Sequence, residues 1–245
     1  MLDQVHIVLV ETSHPGNIGA VARAMKNMCL SRLCLVAPQH YPSAAATARA
    51  SGADDILEHA RLFETLDEAI ADCRLVVGAS ARRRTVDWPE LDPRACAAEV
   101  VRAAPSGPVA LVFGRENSGL TNAELGRCRF LVHIPANADY TSLNLAMAVQ
   151  VIAYEVLMAA RAAATTGAGG PVGAARATAA QLQGLFDHLD QALADFGFAD
   201  ERRSDKLMRR LTRLFQRAEP DAHDINILRG ILSAAQGRKS MRRDA

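Results

Sequence analysis

Apolar residues fall along this chain in two rhythms, and the change between them divides it. In the first part, short unbroken apolar runs alternate with stretches of helical spacing. The runs His6–Glu11, Leu33–Ala37, Leu75–Ser80, Val109–Gly114 and Phe130–Ile134 are predicted strands, with a weaker one at Ala60–Phe63. A strand covered on both faces reads as a continuous apolar run, so these point to a parallel sheet between helical layers. Helical spacing over Ile18–Met28, Leu66–Asp72, Pro93–Ala103 and Leu143–Ala163 fills the intervals. The alternation predicts an α/β domain with a mainly parallel sheet. In the last of these helices the stripe Leu145, Val149, Ile152 and Val156 reads as core or as a dimer face.

The second rhythm follows a break. Residues 162–180 read AAATTGAGGPVGAARATAA, with little to bury, and are predicted as a linker. Helical spacing then resumes at Leu182, Leu185, Phe186 and Leu189, at Leu207, Leu211, Leu214 and Phe215, and at Ile225, Leu228 and Ile231. Three amphipathic helices of this kind form a small bundle or cover a partner. The predicted organisation is an α/β domain over 1–163, a linker over 164–180 and a basic helical extension over 181–245, its final GRKSMRRDA frayed.

Composition changes this picture in one respect. The formal net charge is +1, yet from Arg202 onward twelve Lys/Arg face five Asp/Glu, a net +7 that leaves about −6 on residues 1–201. A basic tail behind an acidic body has two readings, an anionic partner or a solvated helix face. The five cysteines show no CxxC pairing and the seven histidines no HxxxH or HExxH, so no metal site is expected. The N-terminus opens directly into a strand without the basic start of a signal peptide, and no apolar run reaches the length that spans a bilayer. The expectation is a cytoplasmic protein with no membrane partner.

Candidate chemistry sits where open α/β sheets bind ligands, at the carboxyl ends of strands. The first segment is ETSHPGNIGAVARAMKNM, a turn leading into a helix that starts around Asn17–Gly19. A helix N-terminus of this kind offers N–H groups to a phosphate. Arg23 and Lys26 share a face of that helix, either as a functional cation pair or as a solvated basic face. The second segment is LVFGRENSGLTNAEL, where Gly114 permits a close approach or an unusual φ and Thr121 with Glu124 forms a capping box. A glutamate at 116, inside the loop, is not turn chemistry. The third is HIPANADYTSLNLAMAVQVIAYE, with Ser142 and Asn144 at the start of a long helix, where a plain capping role is also open.

Together the runs TSHPGNIGAVARAMKNM, LVFGRENSGL and IPANADYTSLNLAMAVQVIAYE, with ASARRRTVDWP after the fourth strand, resemble the SpoU branch of the SPOUT RNA methyltransferases. The resemblance is greatest to TrmJ-type tRNA 2′-O-methyltransferases. It covers about residues 5–160 closely and the tail in outline. It implies a C-terminal trefoil knot, a feature that no periodicity reveals. It also implies a homodimer, tRNA as partner and S-adenosylmethionine as cofactor. Residues implied for the cofactor are Ala79, Ser80, Ala81, Gly114, Ile134, Thr141, Ser142 and Leu143. Arg23 is the implied leading catalytic residue, with Asn17, Glu116, Ser142 and Asn144 orienting the ribose. An arginine stays protonated, so its role is phosphate binding and charge stabilisation rather than proton abstraction. For this type the implied target is the ribose at nucleotide 32 of the anticodon loop. The alternatives are an rRNA 2′-O-methyltransferase, a non-catalytic RNA-binding protein of the same fold, and a Rossmann-type enzyme. The last is disfavoured because GxGxxG is missing and Ala37-Pro38 stands where an acidic residue would end strand two.

Overall fold

The computed structural model describes residues 1–81, 88–166, 175–198 and 201–237, the side chains of 201–205 excepted. The predicted match over ASARRRTVDWP falls partly outside the described residues, as does the predicted fraying of the last segment. The chain divides into two compact units, Met1–Val172 and Gly173–Ala245.

The first unit is built on seven strands, β1 (Val5–Val10), β2 (Arg32–Val36), β3 (Arg61–Phe63), β4 (Leu75–Ala79), β5 (Glu90–Leu91), β6 (Val109–Phe113) and β7 (Phe130–Val132). Their order is β3-β2-β1-β6-β4-β7-β5, and every pairing is parallel. The five main runs and the weaker one are strands; the five main ones end one or two residues sooner than their predicted runs, and the weaker one ends at Phe63 as predicted. The two-residue β5 was not predicted, because Glu90-Leu91 carries no strand pattern and is held only by its register with Leu131 and Val132.

Helices α1 (Pro15–Asn27), α2 (Ala44–Ala50), α3 (Asp54–Glu58), α4 (Leu66–Ile70), α5 (Pro93–Ala103), α6 (Asn122–Arg127) and α7 (Leu145–Thr166) join the strands. Alternate strand residues Val5, Ile7 and Leu9, with Leu111 and Phe113, face a core shared with α1, α5 and α7. Helices α2 and α3 escape the sequence pattern: α2 is alanine-rich with no amphipathic signal, and is fixed by Ser43 capping and by packing on α1. Gly19 makes that packing possible, since a Cβ there would lie 1.9 Å from the Ala46 carbonyl oxygen. Helix α7 corrects one expectation. Over Leu145–Thr165 its mean hydropathy is 1.5, long and apolar enough to cross a membrane by length and composition. Here it packs on α1 and α5, with Val149, Ile152, Ala153 and Val156 fully buried.

The second unit contains α8 (Ala179–Asp195), α9 (Glu201–Ala218) and α10 (Ala222–Ala235). Leu185 and Ile225 form its buried centre with Leu182, Phe215, Leu228 and Leu232 around them. Capping boxes at Thr178/Gln181 and Asp221/Asp224 set the starts of α8 and α10. Leu214 and Ile231, on the predicted apolar faces, are exposed.

Candidate active site

The strand order reverses direction beside β1: β2 and β3 extend the sheet on one side, β6, β4, β7 and β5 on the other. Crevices at such points bind ligands at the carboxyl ends of strands. One opens here, with a cavity of about 550 Å³ at the ends of β4, β6 and β7.

Its wall on the β6 side is a loop that folds back on itself. Gly119 N–H donates to the Arg115 carbonyl at 2.8 Å, with Gly119 at φ +70°. A Cβ on Gly114 would lie 2.2 Å from the Gly119 carbonyl carbon and 2.4 Å from Leu120 N. The glycine is therefore required by its own loop, without a left-handed φ. Arg115, which also lines the cavity, locks this loop. Its guanidinium donates from Nε to Glu11 at 2.9 Å and to both oxygens of Glu124 at 3.0 and 3.1 Å. It joins the end of β1, which turns at Glu11 with φ +47°, to the start of α6. Sequence reading gave this arginine no role, because its two carboxylates lie on separate elements.

Glu116 points the other way. Its Oε2 accepts from Ser13 N and Ser13 Oγ at 3.1 and 3.0 Å; its Oε1 accepts from His14 N and Asn17 Nδ2 at 3.2 and 3.0 Å. Burial raises the carboxyl's pKa, but hydrogen bonds from Asn17, Ser13 and His14 outweigh that and hold it below its ordinary value. Four donors aimed at one carboxylate make it an ionised strut.

The network continues. Asn144 Nδ2 donates to Asn17 Oδ1 at 3.0 Å, and Asn144 Oδ1 accepts from Ala146 N at 2.9 Å, capping α7. Helix α7 therefore begins at Leu145, two residues later than its apolar spacing indicates. At α1 the correction runs the other way. The helix begins at Pro15, because the His14 side chain accepts from Gly16 N at 3.1 Å, while Asn17 N donates to the His14 carbonyl at 2.9 Å. Those two donors are engaged by the chain itself, so the reading of this turn as an open phosphate cradle does not hold.

Ala79, Ser80, Ala81, Gly114, Ile134, Thr141, Ser142 and Leu143 all line the cavity, as do Asn17, Glu116 and Asn144. Phe113, Leu125, Val132 and Tyr140 line it too and were not singled out from the sequence. Ser142 and Thr141 are exposed at its rim, and their hydroxyls have no hydrogen-bond partner among the described residues. Arg23 is not part of this lining. It is exposed on α1, where Nη1 donates to Ser51 Oγ at 3.4 Å.

Known proteins place this geometry in a family. A family model described as SpoU rRNA Methylase matches residues 4–154, and one described as tRNA methyltransferase TrmJ, C-terminal domain, matches residues 180–245. A relative from Salmonella typhimurium, named tRNA (cytidine/uridine-2′-O-)-methyltransferase TrmJ, is 52% identical over 96% of this chain and 98% of its own. A Pseudomonas aeruginosa relative named tRNA (cytidine/uridine/adenosine-2′-O-)-methyltransferase TrmJ is 50% identical over 96% of this chain and 95% of its own. The crystal structure of TrmJ from Z. mobilis ZM4 superposes with a TM-score of 0.81 at 34% identity, covering 94% of this chain and 97% of that one. With a family-model match over its whole sheet and a C-terminal match over its last helices, the chain belongs to the SpoU methylase family, in the branch that carries the TrmJ C-terminal domain.

Proposed function

We propose that this chain transfers a methyl group from S-adenosylmethionine to a ribose 2′-hydroxyl of tRNA, at nucleotide 32 of the anticodon loop, in the cytoplasm. The observation that supports it best is the convergence of four separate segments, at 79–81, 114, 134 and 141–143, on one cavity of about 550 Å³. That size suits a cofactor. Small residues on the floor leave backbone amides and carbonyls within reach of a purine edge, and Ile134 and Leu143 supply apolar walls.

The cofactor, when bound, supplies an electrophilic methyl on a sulfonium. The chain's part is to hold the ribose oxygen in line and to manage its proton. The open Ser142 hydroxyl orients the ribose, and Asn144 and Asn17 fix the position of the segment that carries it. Glu116 acts through Asn17, since its oxygens are already occupied by donors of the chain. Arg23 holds the phosphate beside the target ribose and stabilises charge on the oxygen as the O–C bond forms. Because it stands away from its own chain's cavity, we assign it to the cavity of a second copy in a homodimer. An apolar stripe on α7, Met147, Tyr154 and Met158 at 63%, 48% and 41% exposure, supports that assembly. The segment 133–144, between β7 and α7, is where we place the trefoil knot. In the second unit Lys206, Arg210, Arg213 and Arg217 share one face of α9 by their spacing, and we assign it to the tRNA body.

A second reading, an rRNA substrate, is favoured by the description of the matched family model. The names of the two relatives span cytidine, uridine and in one case adenosine, which supports a site that reads ribose and backbone more than the base edge. The test is transfer of labelled methyl from S-adenosylmethionine to bulk tRNA lacking 2′-O-methylation, with nucleosides mapped by mass spectrometry. A 2′-O-methylated nucleoside at position 32 supports the whole proposal. Label in rRNA alone overturns the substrate, and no label with cofactor bound overturns the activity.

A further inference from the structure

Tyr140 is 79% exposed, the most exposed large apolar side chain among the described residues. It nonetheless lines the cavity, so the side chain stands at the mouth with much of its surface open to solvent. The turn beneath it is built: Tyr140 N donates to the Asn137 carbonyl at 3.0 Å, and Asp139 N donates to Asn137 Oδ1 at 3.1 Å. Among the described residues its hydroxyl has no partner. The other two tyrosines differ: Tyr41 donates its hydroxyl to the Leu57 carbonyl, and Tyr154 lies on the outer stripe of α7.

A solvent-facing aromatic ring on a hydrogen-bonded turn, beside the rim hydroxyls of Thr141 and Ser142, has the chemistry of a stacking platform. Proteins that take single-stranded RNA place unstacked bases on such rings, and because every base has a π-face this contact is tolerant of base identity. We propose that Tyr140 stacks on the nucleobase of the methylated nucleotide and so positions its ribose over the cavity. The inference rests on the RNA methyltransferase reading above and adds to it a substrate-positioning residue. The platform explains how a site of this size admits more than one base without reading their edges.

The test compares Tyr140→Phe with Tyr140→Leu in the full-length protein. Leucine keeps apolar bulk and removes the π-face. Tyr140→Phe should retain wild-type KM for tRNA, whereas Tyr140→Leu should raise it roughly tenfold, the range expected for one lost base–aromatic contact. S-adenosylmethionine affinity by calorimetry should be unchanged in both. An anticodon stem-loop with 2-aminopurine at the target position should lose fluorescence on binding wild type and Tyr140→Phe, but not Tyr140→Leu. Equal KM values for Leu and Phe overturn the proposal, as does a parallel fall in cofactor affinity or a change of oligomeric state in Tyr140→Leu. Wild type that methylates no RNA overturns the underlying reading and this inference with it, a result distinct from an active wild type indifferent to position 140.

Discussion

The Asn17 side chain donates to Glu116 at 3.0 Å across 99 residues of sequence, and this bond holds the loop after β6 against the start of α1. The same amide accepts from Asn144. One side chain therefore ties together three loops that the sequence separates widely.

Glu116→Gln tests the strut. A neutral amide places its own N–H₂ against donors from Ser13, His14 or Asn17, so at least one donor in this part-buried network loses its acceptor. We expect a stability loss of about 1–2 kcal/mol at neutral pH, discounted for partial exposure, and a larger loss of methyl transfer. The pH dependence has a definite sign. The folded-state carboxyl titrates below its ordinary value of 4.5, so its stabilisation is complete above that pH and disappears as pH falls through the folded value. The difference in Tm between wild type and variant should narrow as pH falls below 4.5 and through the lower folded-state value. A difference that stays constant there would refute the ionised strut.

Gly19 and Gly114 separate packing from pocket. Gly19→Ala meets the Ala46 carbonyl at 1.9 Å and should cost about 2 kcal/mol or more by forcing α1 from α2. Gly114→Ala meets the backbone of Gly119 and Leu120 and should distort the cavity wall. Calorimetry should show cofactor affinity falling more in Gly114→Ala than in Gly19→Ala; the reverse order would contradict the assignment of the loop.

Arg115→Lys keeps the charge but loses the fork that serves Glu11 and Glu124 together. With 22% of the arginine side chain exposed, we expect about 1–2 kcal/mol lost in chemical denaturation. Wild-type stability in Arg115→Lys would show that a point charge suffices.

Most of the sheet was legible because strands such as Val109–Phe113, buried on both faces, have no polar positions to interrupt them. The three loops were legible because Gly, Asn and Ser cluster after those strands. What the sequence hid was partnership. Glu116 meets Ser13, and Arg115 meets Glu11, across more than a hundred residues, and no local pattern encodes either pair. The start of α1 was missed because His14 is an uncommon cap, with its ring nitrogen in the place of a hydroxyl or carboxylate. Ser142 and Thr141 were found as residue types, whereas the exposed setting of Tyr140 required the turn at Asn137.

Arg23→Ala should abolish methyl transfer while cofactor affinity stays within a few fold. If the arginine serves a second copy, mixing Arg23→Ala with an inactive Ser142→Ala variant should restore activity that neither has alone. Absence of restoration under subunit exchange would return Arg23 to its own chain.

Removing residues 170–245 should weaken tRNA binding and flatten its dependence on salt, since fewer phosphate contacts release fewer counterions. Equal affinity at two salt concentrations, with and without the extension, would assign α8–α10 a packing role instead.

The sheet ends in β3 and β5, strands of three and two residues. Such stubs present almost no row of open amides and carbonyls on which another polypeptide could lay itself. A second copy, or a stray unfolded chain, gains little by lengthening this sheet. Among the described residues, this leaves little edge for ribbon-like aggregation.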